Sequence, residues 1–278
     1  MAGVGLASIA LPIKPVMRKG AQIRAEGSAS MLYDAVKCVG CRACQTACKV
    51  RSKLPPETDA NHLYEQPTDL TAKTWTLIKL YKKDQTTSFV KQQCMHCIDP
   101  ACVSVCPVGA LQKLESGPVV YHAERCIGCR YCMAACPFGI PKSQWDKALP
   151  LIQKCDFCAD RQAQGLNPAC GDACPTGALI YGTRGKMLDI AHSRLNASSE
   201  YFPHVYGETE AGGTSMLYIA PVDYKLLGFP VLKDVDLPTL TWPYMKAVPA
   251  VIAVMVTLST GIFLRTHRKL TGAEKKEE

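Results

Sequence analysis

Sequence motifs of catalysis are missing from this chain. It contains no P-loop, no glycine fingerprint of a dinucleotide-binding fold and no convincing pairing of a nucleophile with a base. Its six histidines are scattered along the 278 residues. These absences argue against nucleotide hydrolysis, dinucleotide-dependent chemistry and covalent catalysis, so the sequence predicts no catalytic site of its own.

Long apolar runs are also scarce, and the longest is an uncharged stretch of 18 residues at 247–264. As a helix it would extend over ~27 Å, close to the ~30 Å thickness of a bilayer's hydrocarbon core. Trp242 and Tyr244 lie where an interfacial aromatic belt belongs, and Pro249 falls in the first turn of the run. We predict a transmembrane helix at 242–265. The alternative, a buried amphipathic helix, does not suit a run without charges.

Charge around this helix predicts its orientation. Arg265, Arg268 and Lys269 follow the run directly, whereas Lys246 is the only charge close before it. Positive flanks stay in the cytoplasm. We therefore expect the tail 266–278 inside the cell and the main domain outside.

The first thirty residues resemble a targeting signal that lacks its charged beginning. Residues 1–13 are apolar but too short to span a bilayer, and basic residues and then the small residues 27–30 follow them. We interpret 1–30 as a signal-like segment and hypothesise that the true start lies upstream and carries a twin-arginine pair. A loosely packed N-terminal arm is the alternative.

The formal charge of +8 would suggest nucleic acid as a partner, but it counts 16 cysteines as neutral. Metal-bound thiolates would add negative charge that offsets the basic residues, so no basic surface is left to attract phosphate. The cysteines form four groups of four, all between residues 31 and 180. They are Cys38, Cys41, Cys44 and Cys48; Cys94, Cys97, Cys102 and Cys106; Cys126, Cys129, Cys132 and Cys136; and Cys155, Cys158, Cys170 and Cys174.

The spacing of these groups is typical of cubane iron–sulfur clusters. Bacterial two-cluster ferredoxins use C-x2-C-x2-C-x3-C-P. Group three matches it fully, group one has Lys49 in place of the proline, and groups two and four lengthen the middle gap. Small residues such as Gly40 and Gly128 let backbone amides approach the cluster sulfurs. In the two-cluster fold the fourth cysteine ligates the other cluster, but spacing alone leaves open which groups are partners.

Zinc sites and disulfides are the alternative uses of these cysteines. Structural zinc sites commonly use two ligand pairs separated by a longer loop, often with histidine, and disulfides predict scattered spacings. Neither describes four cysteines within eleven residues, as in group one. We interpret His96, inside group two, as a hydrogen-bond donor near a cluster or an exposed side chain rather than a ligand.

Between the cysteine groups, the residues at 49–93 are polar and proline-rich and then show strand-like stretches at 74–80 and 87–92. We predict a loop and β-hairpin inserted into a cluster domain at 31–182. Apolar residues at helical spacing predict a helix at 183–195, and a connector follows it to 241. The segment 183–241 is expected to dock against partner subunits.

The chain resembles the four-cluster iron–sulfur subunits of membrane-bound oxidoreductases over residues 31–265. The stretches that carry the resemblance are MLYDAVKCVGCRAC, KQQCMHCIDPACVSVCPVGAL, CIGCRYCMAACPFGIPK and YGETEAGGT. They are most similar to the hydrogenase-2 type and are also similar to the formate dehydrogenase N beta subunit. The resemblance implies an α+β fold of two tandem bacterial-ferredoxin-like units with a hairpin insertion and one C-terminal transmembrane helix.

The resemblance also implies how four [4Fe–4S] clusters share the cysteines. Groups one and four would form one ferredoxin-like unit, the one–four unit, and groups two and three the other, the two–three unit. The implied sets are Cys38, Cys41, Cys44 and Cys174 (cluster 1); Cys94, Cys97, Cys102 and Cys136 (cluster 2); Cys126, Cys129, Cys132 and Cys106 (cluster 3); and Cys155, Cys158, Cys170 and Cys48 (cluster 4).

The function implied is electron transfer without catalysis. Electrons would pass from a periplasmic catalytic subunit, a nickel–iron hydrogenase, to an integral-membrane quinone-reducing subunit. The chain would be a single-pass protein of the inner membrane with its cluster domain in the periplasm. The alternative is the equivalent beta subunit of a formate dehydrogenase or another molybdopterin oxidoreductase.

Overall fold

The computed structural model describes residues 26–56, 67–83 and 86–274, with side chains up to residue 267. Residues 1–25 of the predicted signal-like segment therefore lie outside the described residues. The strands are β1 (Ala29–Asp34), β2 (Leu77–Lys83), β3 (Thr86–Gln92), β4 (Leu111–Lys113), β5 (Val119–Tyr121), β6 (Lys142–Ser143), β7 (Ile152–Gln153), β8 (Leu179–Thr183) and β9 (Met216–Ile219). The α-helices are α1 (Ala43–Arg51), α2 (Ala101–Ser104), α3 (Tyr131–Ala135), α4 (Ala159–Ala163), α5 (Ala169–Asp172), α6 (Arg184–Ala197) and α7 (Leu237–Glu274).

A three-stranded sheet in the order β8–β1–β9 joins the two ends of the cysteine-containing region. Strand β1 leads into group one, and β8 follows group four, and the two pair antiparallel. Helix α1, which carries Cys44 and Cys48, packs against α5, which carries Cys170. This pairing brings groups one and four together although they are far apart in the sequence.

Side chains alternate across this sheet because successive residues of a strand point to opposite faces. Met31 and Tyr33 pack into the same core as Cys44 and Cys170. Leu32 faces the other way and packs with residues of α6, such as Met187. The sheet is thus buried on both faces, with cysteines on one and a helix on the other.

Groups two and three are joined in the same manner on a smaller scale. The hairpin β4–β5 lies between them and pairs Leu111 with Tyr121. Helix α2 of group two packs against α3 of group three. Leu111 and Val119 share a core with the thiols of Cys132, Cys102, Cys106 and Cys126.

The hairpin predicted in the insertion is present as β2 and β3, antiparallel from Leu77↔Gln92 to Lys83↔Thr86. Its first strand begins at Leu77 rather than at residue 74, because Thr71 and Thr74 bond to each other through their backbones at 3.1 and 3.2 Å and form a separate turn. Helix α6 forms where helical spacing predicts one. The region interpreted as a connector contains β9, which the sequence analysis missed.

Helix α7 forms a separate body from residue 238 onward. Its segment Leu237–His267 contains an 18-residue window with a mean hydropathy of 2.2 and is long and apolar enough to cross a membrane. The prediction that Pro249 lies in the first turn of this helix is wrong, because the helix begins at Leu237 and both Pro243 and Pro249 lie inside it. An interior proline removes one helical hydrogen bond, a loss that helices in membranes tolerate.

Candidate iron–sulfur sites

All sixteen cysteines lie among the described residues as free thiols. None is therefore used in a disulfide. Fourteen are buried or half-buried, and the two exposed ones are Cys41 in group one and Cys129 in group three. Buried thiols in groups of four are the donor set that a cubane cluster needs, because each of its four irons takes one thiolate.

The four cysteine loops share one backbone feature. The residue just before the second cysteine has a left-handed conformation in every group, with φ of 69° at Gly40, 48° at His96, 71° at Gly128 and 62° at Phe157. Backbone N–H groups of Gly40, Gly128 and Phe157 donate to the sulfur of the first cysteine at 3.5, 3.4 and 3.3 Å. Such N–H···S bonds help to set cluster potentials.

Group one lines a concave site together with a cysteine from group four. Cys38, Cys41, Cys44 and Cys174 line one cavity. The remaining lining is mainly apolar, including Ile78 and Leu179, and Lys91 contributes an ammonium group. Four thiols around one cavity fit a cubane cluster, since the site offers four soft sulfur donors and no carboxylate.

Electrostatic effects show which other cysteines lie close together. Burial is the main reason that the pKa of the Cys48 thiol is raised to about 12, Lys91 opposes the rise, and the charges of Cys170 and Cys158 add to it. Cys48 is a member of group one by sequence, but its named thiol neighbours belong to group four. The burial of Cys155 likewise raises its thiol pKa, and Cys48 is the first charge that adds to this effect.

In the two–three unit, too, the pKa values of the thiols are raised by burial and by the charges of thiols from the partner group. Burial raises the pKa of Cys97 well above its usual value, followed by the charges of Cys136, Cys102 and Cys94. Burial also raises the pKa of Cys132 to about 11, followed by the charges of Cys106, Cys126 and Cys129. In both cases the last cysteine of one group is among the charges that raise the pKa of a thiol in its partner group.

Comparison with known proteins agrees with this geometry. A family model described as a 4Fe-4S dicluster domain matches residues 85–184. The hydrogenase-2 operon protein HybA of Shigella flexneri is 37% identical over 246 residues, which cover 76% of this chain and 75% of that protein. The nitrate-inducible formate dehydrogenase iron-sulfur subunit of Escherichia coli (strain K12) is 39% identical over 197 residues, covering 68% and 66%. A protein of Nitratidesulfovibrio vulgaris is 40% identical over 250 residues, covering 87% and 68%.

This chain belongs to the iron–sulfur subunits of the hydrogenase-2 and formate dehydrogenase type. The resemblance stated from the motifs is confirmed, and so is the ferredoxin-type fold with a hairpin insertion and a C-terminal apolar helix. The iron–sulfur subunit is an electron-transfer component of an oxidoreductase. The sharing of individual cysteines between clusters stays a prediction.

His96 of the iron–sulfur subunit is not exposed, so that alternative is wrong. Its side chain is 1% exposed, and its ring stacks on Phe157 of group four with centroids 4.5 Å apart. Nδ1 accepts a hydrogen bond from the Val119 N–H at 2.9 Å. Burial lowers the pKa of His96 well below its usual value, so the ring is neutral and carries its proton on Nε2. This buried N–H fits the predicted role of a donor.

Sequence reasoning missed two buried lysines of the subunit. Lys91 on β3 is 0% exposed, and Lys154 just before group four is 4% exposed. Lysine is almost never fully buried without a partner, so both call for a source of negative charge nearby. The only signal in the sequence is that each lysine lies within three residues of a cysteine group.

Proposed function

We propose that this iron–sulfur subunit holds four [4Fe–4S] clusters and relays electrons from a catalytic subunit to a membrane subunit that reduces quinone. The observation that carries the proposal is the cavity lined by four thiols, three from group one and Cys174 from group four. When bound, each cluster would accept and pass on one electron at a time. The chain's own residues hold them, bury them and keep them at fixed separations.

The proposed ligand sets follow the crossed arrangement. Cluster 1 would be held by Cys38, Cys41, Cys44 and Cys174, which line one cavity. For clusters 2 and 3 the support is the charges that raise the thiol pKa of Cys97 and of Cys132. For cluster 4 it is the influence of Cys170 and Cys158 on Cys48.

Cysteines of neighbouring sets share buried cores and raise each other's pKa, which supports one order of the clusters, 1–4–2–3. The charge of Cys170, in the cluster 4 set, raises the pKa of Cys44 in the cluster 1 set. Cys94 of the cluster 2 set acts on Cys155 of the cluster 4 set. Cys132 of the cluster 3 set acts on Cys102 of the cluster 2 set. The sets at the two ends are also the ones with an exposed cysteine, Cys41 and Cys129, so electrons would enter at one and leave at the other.

Helix α7 would anchor the subunit in the membrane beside its electron acceptor. Its side chains from Val251 to Leu264 are largely exposed, which suits contact with lipid. The basic residues after the apolar run favour a cytoplasmic C-terminus. The cluster domain and the segment 183–241 would then meet the catalytic subunits in the periplasm.

We propose a nickel–iron uptake hydrogenase as the catalytic partner, because the relative from the hydrogenase-2 operon is 37% identical over 76% of this chain, whereas the formate dehydrogenase subunits are 39% identical over 68% or 33% identical over 79%. The second candidate is a formate dehydrogenase or another molybdopterin enzyme, since the identities of 37% and 39% do not separate the two. Each alternative leaves the role of this subunit unchanged.

Extraction of the complex in mild detergent under anaerobic conditions tests both levels of the proposal. Iron and acid-labile sulfide should each reach about sixteen atoms per chain beyond what the co-purifying subunits hold, four for each cluster. Co-purifying nickel–iron subunits would support the hydrogenase, whereas a molybdopterin subunit would overturn that part. Zinc in place of iron would overturn the proposal as a whole.

A further inference from the structure

We propose that Lys91 and Lys154 are charge-compensating residues that raise the reduction potentials of nearby clusters, and that they are exchanged between the two ferredoxin-like units. Each lysine precedes a cysteine group of one unit in the sequence but acts on the clusters of the other unit. This inference rests on the ligand sets of the proposed function. It concerns side chains that are not ligands, and it assigns a separate residue to each half of the electron path.

Lys91 leads into group two but lies in the one–four unit. It lines the cavity with Cys38, Cys41, Cys44 and Cys174. Its Nζ donates to the side chains of Thr76 and Gln93, both of which are buried neutral groups.

Lys154 shows the reverse arrangement. It comes directly before Cys155 of group four, yet its Nζ donates to the carbonyl of Val119 at 2.5 Å as well as to that of Cys155 at 2.8 Å. Val119 belongs to the core of the two–three unit. The same core contains Cys102 and Cys106 of group two and Cys126 and Cys132 of group three.

Neither ammonium group forms an ion pair with a carboxylate among the residues that the structure describes. A buried cation without a counter-ion is unfavourable by several kcal/mol. Metal-bound thiolates of the neighbouring sites supply the missing negative charge. Because reduction of a cluster adds one more negative charge, a fixed cation nearby favours the reduced form and raises the potential.

Lys91→Gln and Lys154→Gln in the complete membrane complex test the exchange. Each removes a charge and keeps a side chain that can form hydrogen bonds. Redox titration followed by low-temperature EPR measures the potentials, and Cys41→Ser and Cys129→Ser mark the signals of each unit. Lys91→Gln should make reduction of one–four clusters at least about tenfold less favourable, which corresponds to about 59 mV for a one-electron couple. It should shift the two–three clusters much less, and Lys154→Gln should do the reverse.

Gln93→Glu provides a second approach that keeps the lysine. The Gln93 side-chain oxygen already accepts from Lys91, so a carboxylate of the same shape would neutralise the cation in place. It should lower the potentials of the same one–four clusters, and this variant decides the question if Lys91→Gln fails to assemble. Lys82→Gln, on the exposed part of β2, is the matched control and should change no potential.

The possible results distinguish failure of the charge-compensation proposal from failure of the proposed function. Unchanged potentials in Lys91→Gln or in Gln93→Glu, with full iron content, would overturn the inference and leave the proposed function intact. Equal shifts in both units would overturn the exchange. Absence of iron from the unsubstituted protein would instead overturn the proposed function.

Discussion

Replacement of Cys48 by alanine gives the sharpest test of how the two distant cysteine groups cooperate. Cys48 is the last cysteine of group one, on the same helix as Cys44. Its thiol pKa is raised to about 12 from 9.0. This rise corresponds to roughly 4 kcal/mol against the thiolate form of Cys48 in the metal-free site, which bound iron must compensate. The thiols that contribute to the rise, Cys170 and Cys158, belong to group four.

Cys48→Ala should therefore remove a ligand from the site of Cys155, Cys158 and Cys170 and leave the site of Cys38, Cys41 and Cys44 complete. If the whole cluster is lost, iron should fall by about four atoms of about sixteen. Iron analysis gives the amount, and low-temperature EPR of the reduced protein shows which signal disappears. Cys38→Ala is the control and should remove a different signal.

The refuting result is equally specific. If Cys48→Ala and Cys38→Ala eliminate the same EPR signal, then group one holds a cluster by itself, and the crossed ligand sets are wrong. Loss of all four signals in Cys48→Ala would mean that the variant fails to fold. A Cys48→Ser variant, which keeps a potential oxygen ligand, would then replace it, and a change confined to the group-four signal would be required.

Two further predictions concern the scaffold around the sites. Gly40→Ala should lower stability by about 1–3 kcal/mol, because residue 40 has a left-handed backbone and a Cβ there would overlap the Phe89 ring. The control Gly139→Ala, with φ of 62° and open space around the Cβ, should lower stability by only about 1 kcal/mol. Thermal denaturation compares the two variants, and equal losses would contradict the steric argument. Arg51→Ala should lower stability by about 1–3 kcal/mol, because Arg51 donates to both carboxylate oxygens of Asp156 at 2.7 and 2.6 Å and ties α1 to the group-four loop. Its control is Arg161→Ala, whose pair with Asp172 at 2.7 Å is more exposed and should be worth at most about 1 kcal/mol; a larger loss in the control would contradict this ranking.

Local patterns in the sequence were sufficient for much of this molecule. The four cysteine groups, the hairpin of β2 and β3, helix α6 and the apolar helix near the C-terminus all depend on spacing within a short stretch. Such spacing is dictated by the period of a helix or strand, or by the reach of a loop around a cluster. These features could therefore be predicted without knowledge of the rest of the chain.

Tertiary structure decided which distant segments meet. The pairing of β1 with β8 and β9 depends on registers between residues that are far apart, and β9 is only four residues long, too short to show a period. From the sequence, Lys91 and Lys154 are expected at the surface, because burial of a charge is unfavourable. Only the folded chain shows the cysteine thiolates that lie close enough to offset that charge. His96 and Phe157 take the left-handed conformation where groups one and three use glycine, and only the folded chain stacks their rings together.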